Sequence, residues 1–128
     1  MIYQTHIPDI LLLFTHMPKC NIIFYTSSNG RKPVEAFLEK NLSVKTKTLR
    51  ILSNIKEYGL NSAIPHIKKL TGTPFWEIRI LGKDNARIFY VTENKNTIVL
   101  LHGFNKKSKK TPLQEIAITF QRYKDILD

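Results

Sequence analysis

With 128 residues the chain can bury one hydrophobic core and is too short for two. Its 20 Lys and Arg against 10 Asp and Glu leave a net charge of +10, which favours a polyanionic partner, nucleic acid first, then an anionic membrane surface or an acidic protein. A single cysteine, Cys20, rules out an internal disulfide and a thiolate zinc cluster and fits a reducing compartment, the cytoplasm.

Residues 1–20 contain one short apolar run, Ile10 to Phe14, far below the roughly 20 residues that span a bilayer. They lack the basic start and small-residue cleavage site of a signal peptide, so no membrane association is expected. "NIIFYTS", Asn21 to Ser27, is β-branched and aromatic and runs into the turn-like "SSNG", which predicts a first strand. From Pro33 the period changes: Val34, Phe37, Leu38 and Leu42 fall at helical spacing. Ser43 is then expected to cap a second helix carrying Val44, Ile51, Leu52, Ile55 and Tyr58 and stopped by Gly59. The outer face of this hairpin, with Lys40, Lys45, Lys47, Arg50 and Lys56, reads as a solvated surface.

Gly59, Pro65, Gly72 and Pro74 punctuate the next stretch too often for a regular element, so loop or short extended chain is expected there. "FWEIRIL", "ARIFYVT" and "TIVLLHGF" follow, separated by "GKDN" and "ENKN", and predict an antiparallel meander. In its first strand Trp76, Ile78 and Ile80 share one face, and Glu77 and Arg79 the other. The third is apolar on both faces until His102, as befits a strand covered on each side. "TPLQEIAITFQRYKDILD" closes the chain as a helix, with Thr111 as cap, Pro112 in the first turn and Gln114 in the capping-box position. Its apolar stripe is Leu113, Ile116, Ala117, Phe120, Tyr123 and Leu127. Without internal repeats, the sum is one α+β domain with helices packed on a small sheet.

The four histidines, His6, His16, His66 and His102, are scattered, and no acidic pair has metal-site spacing, so neither a metal nor a cofactor is expected. No Gly-rich phosphate loop or nucleophile motif is present. What remains is cationic: Lys68, Lys69, Arg79, Lys83, Arg87, Lys95, Lys106, Lys107, Lys109 and Lys110 surround the meander, against Glu77, Asp84 and Glu93. Arg79 and Arg87 lie inside strand patterns, where a charge is costly unless it is paired or faces an anion. An ion pair with Glu77 or Glu93 is one reading and an anion site the other. Whether both arginines share a face depends on a register the sequence leaves open. His102 either packs against backbone or moves a proton, and the loop lysines either solvate or grip a polyanion. Trp76 and Tyr90 read as core.

"FWEIRI", "ARIFYV" and "IVLLHGFNKKSKKTPLQEI" together resemble the strand and loop blocks of phage-derived RelE/ParE superfamily toxins of the HigB type, over about Asn21 to Asp128. Residues 1–20 fall outside the resemblance, with Met17 an alternative start. The resemblance implies a RelE-like fold, two N-terminal helices and a C-terminal helix on a small twisted antiparallel sheet. It implies a toxin of a type II toxin-antitoxin pair, an endoribonuclease that cuts mRNA in the ribosomal A site without metal and so inhibits translation. A helix-turn-helix antitoxin would be its partner. On that template Arg79 and Arg87 hold the scissile phosphate, His102 moves a proton and Lys107 completes the catalytic set, while Lys68, Lys69, Lys106, Lys109 and Lys110 hold RNA. Two positions depart from the pattern: Ala86 replaces a usual aromatic, and Leu113 lies near the place of the superfamily's C-terminal catalytic tyrosine. A ParE-like inhibitor of DNA gyrase and a noncatalytic RNA-binding module are the competing functions.

Overall fold

The computed structural model describes residues 19–128; the N-terminal apolar run and Met17 lie outside the described residues. The elements are β1 (Asn21–Phe24), α1 (Pro33–Glu39), α2 (Leu42–Tyr58), a 3-10 helix (Leu60–His66), β2 (Ile67–Lys69), β3 (Trp76–Ile80), β4 (Ala86–Thr92), β5 (Thr97–Asn105) and α3 (Leu113–Leu127). They build an α+β domain with strand order β1-β5-β4-β3-β2. The meander β3-β4-β5 is antiparallel as expected, and β2 adds to it in the same sense. β1 joins β5 in parallel, so the sheet is mixed. Between those strands the chain passes through α1 and α2, and parallel pairing requires such a crossover.

Local signals set some element ends, and tertiary contacts set others. Gly59 stops α2 at a φ of 89°, a left-handed conformation suited to glycine. The N-cap is Asn41 rather than Ser43: its side chain accepts from the Val44 amide at 3.1 Å. Asn41 is the better placed residue because its amide also donates to Asp84 at 2.8 Å, tying the helix start to the β3–β4 turn. Lys47 reinforces that tie by donating to the Leu81 carbonyl at 3.0 Å. The segment after Gly59 is more regular than its glycines and prolines suggested, because a 3-10 turn accommodates Pro65 before β2 pairs with β3. At α3 neither Thr111 nor Gln114 caps; Pro112 is the N-cap residue and its carbonyl accepts from the Glu115 amide at 3.0 Å.

Both faces of the sheet are covered. On one, Val34, Leu38, Val44, Leu52 and Ile55 of the helical hairpin pack on Ile78, Ile80, Ile88, Tyr90, Ile98 and Leu100. On the other, α3 brings Tyr123 and Ile126 onto Phe75, Val91, Val99 and Leu101. The hinge between these two faces is a register shift after Phe89: Phe89 opposes His102 while Tyr90 opposes Leu100, leaving Leu101 as a bulge. α3 docks by only part of its expected stripe: Phe120 and Tyr123 meet the buried Phe75 ring edge to face, with centroids 4.7 and 5.5 Å apart. Thr119 is fully buried, whereas Leu113, Phe120 and Leu127 remain 82%, 42% and 66% exposed. Helical periodicity marks an apolar side, but here polar residues of α3 find fixed partners on the sheet and rotate the helix so that the two ends of the stripe, Leu113 and Leu127, stay in solvent.

Gly103, between His102 and Phe104, faces α1 so closely that a Cβ there would stand 2.6 Å from the Phe37 ring. Gly103→Ala therefore overpacks the α1–β5 contact and is expected to cost about 1–3 kcal/mol, read as a lowered urea midpoint with unchanged slope. A variant as stable as the parent would show that Phe37 has room to move.

Candidate functional site

Strand register assembles the site. Arg79 and Arg87 are direct cross-strand partners, so their side chains leave the same face of the sheet. Glu77 and Phe89 form the adjoining pair, and β5 continues both rows with Phe104 opposite Arg87 and His102 opposite Phe89. The bulge at Leu101 makes this possible. Strict alternation from Leu100 would have sent His102 to the face of the helical hairpin, and the extra residue returns it to the arginine face.

Arg87 and Glu77 are both more than nine-tenths buried, and Arg87 Nε lies 3.8 Å from Glu77 Oε1. The ion pair considered from the sequence therefore forms with Glu77. Arg87 Nη1 also donates to the Ala86 carbonyl at 3.0 Å. One carboxylate nonetheless faces two guanidinium groups, and the buried Nε atoms of Arg79 and Arg87 have no hydrogen-bond acceptor among the described residues. Burial pulls the Arg87 pKa down and the neighbouring Arg79 adds to this, while Glu77 opposes both. A guanidinium stays charged regardless, so this face carries surplus positive charge with donors to spare.

His102 is held at both ring nitrogens. Arg122 Nη1 donates to Nδ1 at 3.0 Å, and Nε2 is hydrogen-bonded to Glu115 Oε2. Because a guanidinium only donates, Nδ1 is the acceptor and the ring proton sits on Nε2, shared with the carboxylate. The same Arg122 Nη1 donates to the carbonyl of the bulged Leu101 at 2.8 Å. Burial lowers the His102 pKa most, Arg122 lowers it further, and Glu115 opposes them. The imidazole is thus a neutral clamp between β5 and α3, stacked on Phe104 with ring centroids 5.5 Å apart. Nothing in the spacing of the sequence singled out Glu115 or Arg122. The available signal was that they stand seven residues apart, one helical face, outside the apolar stripe.

The lysines divide. Lys68 opposes Glu77 and so belongs to the arginine face, while Lys69 opposes Trp76 on the other side. The Lys69 ammonium lies 5.6 Å from the Trp76 ring centroid and donates to the Phe75 carbonyl at 3.4 Å, away from the arginines. Lys106 extends the ladder by one bond, its amide donating to the Asn85 carbonyl at 2.7 Å. Lys107, Lys109 and Lys110 are exposed in the loop that leads to α3. Arg79, Arg87, His102 and Lys68 are thus brought onto one face, with the loop lysines at its β5 end.

A family model described as phage derived protein Gp49-like (DUF891) matches residues 35–124. That span holds every residue of the clamp and of the arginine face. No curated protein matches the chain.

A histidine whose folded-state pKa lies below its unfolded value of 6.5 gives stability that is fully present above that value. It is lost as pH falls from there toward the folded-state pKa, because the unfolded chain binds the proton more readily. The urea midpoint is expected to drop on acidification from pH 7.5 to 5. In His102→Gln this dependence should flatten, because the amide can accept from Arg122 and donate to Glu115 without titrating; an unchanged slope would place the titration elsewhere.

Proposed function

The chain belongs to the phage-derived Gp49-like family, a RelE-type, toxin-like family, and from that premise we propose that it is the toxin of a type II toxin-antitoxin pair. The activity proposed is a HigB-like, ribosome-dependent mRNA endonuclease. The observation that carries this reading is the direct pairing of Arg79 and Arg87 on one strand face, with Glu77 of the adjoining pair bridged to Arg87 alone.

RNA carries its own nucleophile. Attack of a 2′-hydroxyl on the adjacent phosphate forms the new phosphorus–oxygen bond as the bond to the 5′-oxygen breaks, leaving a cyclic phosphate and a 5′-hydroxyl. The proton of the 2′-hydroxyl passes to water. What a protein must add is alignment, charge stabilisation on the phosphorane and a proton for the leaving oxygen. Arg79 and Arg87 supply the first two, with the guanidinium of Arg87 already oriented by Glu77 and Ala86. Lys106, Lys109, Lys110 and Lys68 hold the flanking backbone, and Lys107, exposed two residues past the end of β5, is the proton donor. His102 positions rather than titrates in this scheme, since delivery of its proton to RNA would require Nε2 to leave Glu115. Lys69 takes no part, because it faces away. The partners are the mRNA in the ribosomal A site and a helix-turn-helix antitoxin, and the place of action is the cytoplasm. Among the described residues no helix is long and apolar enough to cross a membrane.

Removal of one preorganised donor typically lowers a rate by about 100-fold or more. Arg79→Ala and Arg87→Ala are each expected to do so, read by mapping mRNA 5′ ends on ribosomes after induction. Arg87→Ala leaves Glu77 buried without its partner, so folding is checked by circular dichroism, and Arg79→Ala serves as the less buried control. Full cleavage by either folded variant would refute the assignment. Growth arrest without cleavage, accompanied by gyrase inhibition, would turn the reading to a ParE-like toxin.

A further inference from the structure

The two edges of the sheet are not alike. β2, the last strand on one side, carries Lys68 and Lys69, charges of the kind that keep an open strand from pairing with another chain. β1, the last on the other side, reads "NIIF" and pairs with β5 alone among the described residues. The Asn21 and Tyr25 amides donate to the carbonyls of Asn96 and Leu100 at 2.6 and 2.9 Å. The backbone groups of Ile22 and Phe24, one residue out of phase, therefore point to the open side. Ile23 between them is 46% exposed. An apolar edge without a guarding charge is a template for strand addition.

A groove runs beside this edge. Between β1 and α2 a recess of about 670 Å³ is lined by Ile22, Phe24, Leu49 and Leu52, with Lys56 at its Asn21 end. It continues into one of about 250 Å³ where Phe24 and Leu49 meet Leu38, with Glu35, Glu39 and Lys45 around it. The charges are thus sorted along the strand: lysine beside the start of β1, and two carboxylates with one lysine beside its end. Lys45 is bridged to Glu39, and neither Glu35 nor Lys56 has an ion-pair partner among the described residues. Arg50 stands about 100° round α2 from Leu49 and does not line the groove.

An edge with opposite charge at its two ends is complementary to itself when turned round. We propose that β1 and its groove are the docking surface for a second copy of this chain, the two β1 strands antiparallel across a two-fold axis at Ile23. Ile22 of one copy then stands opposite Phe24 of the other and exchanges both ladder bonds with it, while the two Ile23 side chains meet in the close, non-hydrogen-bonded pair. Lys56 of each copy faces Glu35 and Glu39 of the other, and the exposed Leu49 side chains close the groove. The net charge of +10 does not oppose this arrangement. Lys106, first of the loop lysines, lies six residues past Leu100, the β5 partner of Phe24, roughly 20 Å along the strand. Antiparallel copies carry these loops to opposite ends of the joined sheet, far beyond the ~8 Å over which charges act at physiological salt. β4 lies two strands in from β1, so both arginine faces stay open.

The full chain, followed by analytical ultracentrifugation over a hundredfold range of concentration, should pass from the mass of one chain to that of two. Ile23→Lys, an exposed change that sets like charges against each other on the axis, should raise the dissociation constant at least tenfold. Lys56→Glu should weaken the dimer as well, and Lys56→Glu/Glu35→Lys should recover most of that loss. The mass of one chain at every concentration would overturn the proposal and leave the edge to residues 1–18 of the same chain or to a different protein. So would association that Ile23→Lys does not weaken, or a double variant no tighter than Lys56→Glu, since either puts the contact elsewhere. None of these readouts involves toxicity, so they stand whatever the chain does to RNA.

Discussion

The site depends on one extra residue in β5. The Leu101 bulge lets two consecutive residues, Leu101 and His102, face the same side of the sheet, and Arg122 secures it by donating from one nitrogen to the Leu101 carbonyl and to His102. From that point everything downstream is displaced by one. Leu101 completes the core under α3, His102 meets Glu115, and Phe104 comes to lie opposite Arg87. A bulge leaves backbone groups without a ladder partner, and a guanidinium with several fixed donors is the side chain best able to satisfy them.

The same grip explains the orientation of α3. A helix with an apolar stripe would ordinarily bury it. Here the sheet offers a carbonyl, an imidazole and, through Tyr25, a hydroxyl that donates to Asp125 at 2.6 Å. Arg122 also lies over the Tyr25 ring, 5.7 Å from its centroid. Hydrogen bonds that involve a charged group contribute about 1.5–3 kcal/mol each, comparable with burying one aliphatic side chain. Several of them on one face offset the exposure of Leu113 and Leu127, while Tyr123 and Ile126 still close the second core.

Arg79 and Arg87 face the opposite balance. Desolvation of a charge in a strand face opposes folding unless the charge is paired, and Glu77 pairs with only one of the two. A protein selected for stability alone would place a second carboxylate or an apolar pair at this register. Surplus cationic charge next to unused donors is the arrangement that binds a phosphate, with the loop lysines extending it along a backbone. His102, hydrogen-bonded at both ring nitrogens to residues of α3, ties β5 to α3 across the loop between them.

Local physics made much of this legible from the residues. Alternation in "FWEIRI" and "ARIFYV", turn residues between the strands and helical spacing from Pro33 to Gly59 identified the elements, since these patterns act over a few residues. The charge excess and the arginines within strands pointed to an anion-binding face. The sequence could not say that Arg79 stands opposite Arg87, that β1 runs parallel to β5, or that Lys69 turns away from Lys68's partner. Those facts follow from pairing register and chain crossover, which depend on contacts between distant segments. Nor could it show that Glu115 and Arg122 would take both nitrogens of His102 and leave Leu113 and Leu127 of the apolar stripe exposed. Periodicity states that a helix has two sides; only the bulge in β5, by presenting a carbonyl and an imidazole together, decided which side is bound.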